Sequence, residues 1–273
     1  MSEPVLLVDR DRRGVVRLLL NRPKAYNALS MELLARLEEE LLQLADDPKA
    51  RVIVVRGAGE KAFCTGHDLK EMGANRRYAV LKSLFDRCSR VMALLVRHPL
   101  PVIAAVQGIA TAAGCQLVAA ADLAVASEEA RFATSGVKYG LFCSTPMVAL
   151  SRVVPQKAAL EMLFTGDFID AREAWRLGLV NRVVPASELD QAVEDLVSRL
   201  LDKPREVLAL GKQAFYRQLR MGLEEAYAYT SEVIVQNALS WTFAEGFRAF
   251  VEKRPPVWEP PQDAPREQAT AKG

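Results

Sequence analysis

Histidine is scarce in this chain: His67 and His98 are the only two, beside four cysteines at Cys64, Cys88, Cys115 and Cys143. No two cysteines form a CxxC pair. Without such a pair, and with only two histidines, the chain offers little to a zinc site or a disulfide framework. Neither is expected, and the thiols read as reduced and buried. An excess of one charge is also missing. The 36 Lys and Arg against 34 Asp and Glu leave a net charge of +2, which is no footprint for nucleic acid. Apolar runs stay well short of the roughly 18 residues that read as a membrane span. The N-terminus, MSEPVLLVDRDRRG, has no signal-peptide core and lacks the acid-poor look of a transit peptide. A cytoplasmic location is expected, or the mitochondrial matrix for a processed eukaryotic chain.

What remains is an ordinary globular composition. Of 273 residues, 50% are hydrophobic and 26% charged. That suits one large domain, alone or with a small appendage. Residues 5–20 read as two strands around a charged turn that ends in glycine. Ser30 is a good helix cap, and behind it Leu33, Leu34, Leu37, Leu41 and Leu44 recur at helical spacing. RVIVVRG (51–57), DLAVAS (122–127) and ARFAT (130–134) read as short strands. Strands that alternate with helices predict an α/β core with much parallel sheet. Beyond Ser144 the pattern turns helical, through 156–163, 170–177, 188–201, 204–219 and 223–251. These helices are expected to pack on a neighbouring subunit.

Two loops could carry chemistry. In KAFCTGHDLKEM (61–72) a strand ends, glycine turns the chain, and Asp68 stands near the first turn of a helix. In GIATAAGCQL (108–117) small residues lead into a buried helix. The first N–H groups of a helix have no partner within it, so each loop can offer donors to an oxygen. Ordinary turns and tight packing explain either loop taken singly. If both converge, they form an oxyanion hole, which thioester chemistry needs when charge develops on the carbonyl oxygen.

RPKAYNAL, AFCTGHDLKEM, GIATAAGCQLVAAADLAVAS and FTGDFIDAREAWRLGLVNRVVP occur in this order, with AFVEKRPPVW near the end. Together they resemble the enoyl-CoA hydratase/isomerase family, the crotonase superfamily, over about residues 5–258. Ordered agreement across several motifs is more specific than one short match. The resemblance implies an α/β fold in which ββα units form a spiral, followed by helices that build a trimer, often paired into a hexamer. The expected organisation is a core over 1–200, an oligomerisation region over 201–255 and a loose tail over 256–273. The implied partner is an acyl-CoA thioester, with coenzyme A as part of the substrate and no separate cofactor or metal. The family's oxyanion donors fall on the backbone N–H groups of His67 and Ala113. Its CoA-contacting positions fall on Lys24 and on His67, Asp68, Leu69 and Lys70. For Lys24 and Lys70, plain surface charge is the competing reading.

The sequence departs from this pattern at the two places where hydratases carry glutamates. Gln116 stands at the first and Gly136 at the second. An amide holds water by hydrogen bonds but does not accept and return a proton near neutral pH, and glycine does neither. Each general acid or base contributes about 10²–10⁴ in rate. Water addition to an enoyl-CoA is therefore expected to be inefficient. Isomerase chemistry loses its base at Gly136 as well. In family members with other chemistries an aspartate follows slightly later, where Ser144 stands beside Cys143. Cys143 would act as a nucleophile only with a lowered pKa or a base, for which His67 is the candidate. Three readings result: an acyl-CoA enzyme with weak or altered chemistry (a hydratase of low activity included), a non-catalytic acyl-CoA binder, and a structural or RNA-associated protein. The near-neutral charge gives the last little support.

Overall fold

The computed structural model describes residues 3–258, so most of the expected tail, from residue 259 onward, lies outside the described residues. These residues form two compact units that meet in sequence at Leu201 and Asp202.

The first unit contains ten strands in two sheets. A six-stranded sheet is ordered β1 (Leu6–Arg10), β2 (Val15–Leu20), β3 (Val52–Gly57), β5 (Val102–Val106), β7 (Leu123–Ser127) and β10 (Arg182–Val184). Only β1 runs antiparallel to its neighbour. A four-stranded sheet is ordered β4 (Ala62–Cys64), β6 (Ile109–Thr111), β8 (Arg131–Ala133) and β9 (Ile169–Asp170). From β3 to β8 consecutive strands therefore alternate between the sheets. The β3–β4 and β5–β6 pairs each lead into helix, which is the expected ββα spiral.

Packing explains why the strand sequences are apolar throughout. Along β3, Ile53 and Val55 face one hydrophobic cluster, while Val52 and Val54 face the other. Along β5, Val102, Ala104 and Val106 face the first cluster, and Ile103 and Ala105 the second. A parallel sheet covered on both faces needs such continuous runs. The first face carries α1 (Met31–Asp46) and α3 (Tyr78–Arg97). The second carries α8 (Leu189–Leu201). Ser30 caps α1 by accepting the Leu33 N–H, and the five leucines named above are buried. Four shorter helices also lie in this unit: α2 (Leu69–Ala74), α4 (Ala113–Ala120) and α5 (Pro146–Leu150) near the loops of interest, then α6 (Gln156–Thr165). One more, α7 (Ala171–Arg176), follows β9, a two-residue strand that the helical reading of 170–177 did not anticipate.

The second unit is helical: α9 (Arg205–Gln218), α10 (Leu223–Ala238) and α11 (Trp241–Glu252). The helical spacing over 223–251 is thus broken once. Ser240 accepts the Phe243 N–H and caps a new helix there, and a cap ends one dipole and starts another. Arg217 lies over the Tyr229 ring, 4.6 Å from its centre, and joins α9 to α10. The Trp258 indole N–H donates to the Asp202 carbonyl oxygen at 2.9 Å. No residue of α10 is buried. Leu239 is 78% exposed and Phe250 81%.

Candidate functional site

The two loops singled out in the sequence meet. Gly66 has φ +87°, a conformation that favours glycine, and a Cβ there would lie 2.8 Å from Ala112 Cβ and 3.0 Å from the Ala113 nitrogen. Gly114 is packed as tightly, since a Cβ there would lie 2.0 Å from the Cys64 carbonyl oxygen. The small residues of GIATAAGCQL thus let the start of α4 lie directly on the turn after β4. Leu29 holds that turn from the other side: its N–H donates to Gly66 O at 2.7 Å, and its carbonyl accepts the Asp68 N–H at 3.3 Å.

Ala112 adopts φ 50°, ψ −120°, which a residue with a side chain rarely occupies. Such backbone costs on the order of 1–3 kcal/mol and persists only where the surroundings impose it. Here the Ala112 N–H is fixed to the Ala133 carbonyl at 2.9 Å, and its carbonyl accepts the Gln116 N–H at 3.0 Å. The next N–H, that of Ala113, opens α4. Among the described residues neither it nor the His67 N–H has a hydrogen-bond acceptor.

Both residues line one cavity of about 360 Å³. Leu69, Met72 and Phe85 form one wall, and Tyr139, Leu141 and Phe142 another. Ser135, Gly136, Cys143 and Ser144 close the end near α5. Among the described residues no Asp, Glu, Lys or Arg lines it. Where two such N–H groups converge on one carbonyl oxygen, they bind it more strongly as charge grows there in an enolate or tetrahedral state.

The remaining predicted residues divide. Asp68 is fully engaged. Oδ1 accepts the Lys70 and Glu71 N–H groups, and Oδ2 accepts Arg22 Nη2 at 2.7 Å. The Arg22 guanidinium holds the Asp68 carboxyl below the usual carboxylate range, and the same arginine donates to Ala28 O at 2.6 Å. Leu69 lines the cavity, whereas Lys24 and Lys70 are exposed and stand outside its lining. Gln116 is buried on α4, is not part of the lining, and leaves Oε1 without a partner. Burial lowers the His67 imidazole to about 4, so the ring is neutral near pH 7. Its two nitrogens are enclosed and unpartnered, and the ring lies 5.0 Å from that of Phe85. His98 is a packing residue: Nε2 meets Leu41 O and Nδ1 accepts the Leu100 N–H.

Cys143 faces the cavity as a protonated thiol, because burial raises its pKa, opposed only by the Gly136 N–H. That does not favour a thiolate nucleophile. Gly136 sits in a closed turn in which Leu141 N donates to Gly136 O at 3.0 Å. A Cβ at 136 would lie 2.4 Å from the Leu141 carbonyl oxygen and 2.9 Å from Cys143 Sγ. As folded, the turn has no room for a side chain at position 136.

The family model for enoyl-CoA hydratase/isomerase matches residues 10–261. The chain belongs to the enoyl-CoA hydratase/isomerase family. Mitochondrial enoyl-CoA hydratase domain-containing protein 3 of Xenopus laevis is 47% identical over 253 residues, 93% of this chain and 86% of that protein. Its human counterpart is 46% identical over 257 residues, 94% of this chain and 84% of the relative. The crystal structure of an enoyl-CoA hydratase from Mycobacterium smegmatis has TM-score 0.92 and 55% identity, covering 94% of this chain and 99% of that one. The human domain-containing protein 3 structure has TM-score 0.90 and 44% identity, covering 93% and 100%. Within this family the resemblance to the domain-containing protein 3 subgroup, carried by GHDLKE, ATAAGCQL and GLFCSTP, is supported.

Sequence reasoning missed the cavity walls. Phe85 and Met72 reach the site only because α2 and α3 dock there, and no local motif marks them. Leu141 and Phe142 lie within the GLFCSTP stretch and Tyr139 directly before it, where their aromatic and aliphatic character was the available signal.

Proposed function

We propose that this chain binds acyl-CoA thioesters, with the carbonyl oxygen held by the His67 and Ala113 N–H groups as in an oxyanion hole. Efficient hydration of enoyl-CoA is not part of this reading. The observation that carries it is a cavity with two unpaired N–H donors and no carboxylate in its lining. Ground-state thioesters and enolates both gain from such donors, so the site suits stabilisation of a thioester enolate without a strong general base. Family membership supports coenzyme A as the carrier, though a fold alone does not assign chemistry. A second reading, pure binding or regulation without turnover, is favoured by Gly136, whose turn excludes a catalytic side chain. A third, a hydratase of low activity, draws on the 55% identical relative described as an enoyl-CoA hydratase.

The exposed apolar side chains of α10 and α11 support assembly into a trimer or hexamer. The proposed compartment is the cytoplasm, or the mitochondrial matrix for a processed eukaryotic chain. The four curated tetrapod relatives are described as mitochondrial. Among the described residues no helix is long and apolar enough to cross a membrane. Calorimetric titration with acetyl-CoA tests the binding. A saturable heat with a matching rise in melting temperature is expected; neither signal up to millimolar ligand would overturn the proposal.

A further inference from the structure

We propose that the open edge of β1, with the groove beside it, docks an extended segment of a partner protein that carries an apolar and a basic side chain two residues apart. The backbone supplies the first argument. β1 is an edge strand of the six-stranded sheet and pairs only with β2. In an antiparallel pair successive residues turn their N–H and C=O groups alternately toward the neighbouring strand and away from it. The Asn21 N–H donates to Val5 O at 2.8 Å and the Asp11 N–H to Val15 O at 3.0 Å, which fixes the phase. Leu7 and Asp9 share it and bond to β2. Leu6, Val8 and Arg10 therefore turn their groups to the open edge, where among the described residues they have no backbone partner. Such a row is a template for one more strand. Arg10 does not shield it, because Glu40 at 2.6 Å and Asp47 at 2.8 Å draw its guanidinium onto α1.

The side chains say what that strand carries. Leu6 belongs to the first hydrophobic cluster, so Leu7 and Asp9 project from the second face of the sheet. The cluster beneath α8 takes in β3, β5 and β7 and stops short of β1. What is left open is a groove of about 660 Å³ between α8 and the β1–β2 ribbon, with Leu7, Leu19 and Val54 in its lining. Arg17 and Arg56 rise from the sheet and are paired with Glu194 and Asp190 of α8. The carboxylates stand furthest out: the Asp9 and Asp190 side chains are 75% and 78% exposed, against 39% for Arg17 and 37% for Arg56. An apolar lining under an acidic rim is complementary to an apolar residue beside a cation. A strand added to β1 sets every second side chain over the groove, one beside Leu7 and the next beside Asp9, which gives the spacing. A second copy of β1 is less well matched. A dyad at Val8 sets Asp9 opposite a leucine, and one at Asp9 sets two carboxylates opposite each other.

The test uses the full chain and two fluorescent peptides, Thr-Val-Thr-Lys-Thr-Val-Thr and the same sequence with glutamate in place of lysine, followed by anisotropy. The lysine peptide should bind about fivefold tighter, the scale of one cross-strand charge pair made against one opposed. Asp9→Lys should reverse that order. Val8→Pro should abolish binding of both, since proline removes an outward N–H and is tolerated on an edge strand. Amide hydrogen exchange reads strand addition itself: the lysine peptide should slow Leu6, Val8 and Arg10 and leave Leu7 and Asp9 unchanged. Absence of binding up to millimolar peptide, binding that survives Val8→Pro, or a preference indifferent to Asp9→Lys would overturn the inference. A smaller assembly in Val8→Pro without any peptide would also overturn it, because the occupant would then be a second copy of the chain. Should Val8→Pro fail to fold, the exchange pattern of the natural protein decides, and protection that does not alternate along β1 counts against the proposal. None of these outcomes bears on thioester binding.

Discussion

A methyl group on Gly136 would stand 2.4 Å from the Leu141 carbonyl oxygen, well inside contact distance. Glycine at this position is therefore a packing requirement of the 136–141 turn. Gly136→Glu should lower stability by about 1–3 kcal/mol, the usual cost of overpacking, and should not create hydratase activity. Chemical denaturation and an enoyl-CoA assay on the variant check both halves. His67 gives a second prediction at this scale. Its folded pKa, about 4, lies below the ordinary imidazole value of 6.5, so below pH 6.5 the unfolded chain binds a proton that the native site refuses. Stability is therefore complete above 6.5 and falls as pH drops toward 4. His67→Phe should flatten that part of the stability–pH curve, measured as the difference from the natural protein. An unchanged slope would mean that His67 is not the enclosed neutral ring described here. Cys143, a protonated thiol, should react with iodoacetamide at pH 7.5 at least about tenfold more slowly than a free cysteine. Peptide mass spectrometry would follow it.

At the scale of elements, the site depends on the start of α4 lying on the turn after β4. Gly114→Ala places a methyl 2.0 Å from the Cys64 carbonyl oxygen, both groups being backbone or bound to it. Neither can move without shifting a strand or the helix start, so this small change should cost both stability and acetyl-CoA binding. Ala112→Gly works in the opposite direction. Relief of a positive φ should raise stability by up to about 1 kcal/mol. The sequence made part of this legible. Ser30 and the leucines of α1 were readable because cap and spacing are local properties. The apolar runs of β3 and β5 were readable because sheets covered on both faces leave no polar positions. The two loops were readable as joints, but their contact was not, because it depends on Gly66 and Gly114 meeting partners far away in sequence. Ala112's strained backbone left no trace, since alanine is not the residue such a conformation selects. Gly136 was read only for the glutamate it lacks. Its closed turn became visible once Leu141 and Cys143 were placed around it.

For the whole molecule, the second unit exposes Leu223, Tyr227 and Ile234 on α10, Phe250 on α11 and Leu239 between them. That much apolar surface is unusual for a protein that remains alone in water. Sedimentation velocity should therefore give a trimer or hexamer, and a monomer at micromolar concentration would contradict the proposed assembly. The central proposal concerns chemistry: a cavity that binds a thioester but is not built for efficient water addition. The most direct test adds crotonyl-CoA in excess to purified protein and follows the enoyl-thioester absorbance with time. The account predicts a decay at least about 10²-fold slower than an ordinary hydratase gives at equal enzyme concentration, because a general acid–base group contributes at least that much. Decay at the ordinary rate would contradict it.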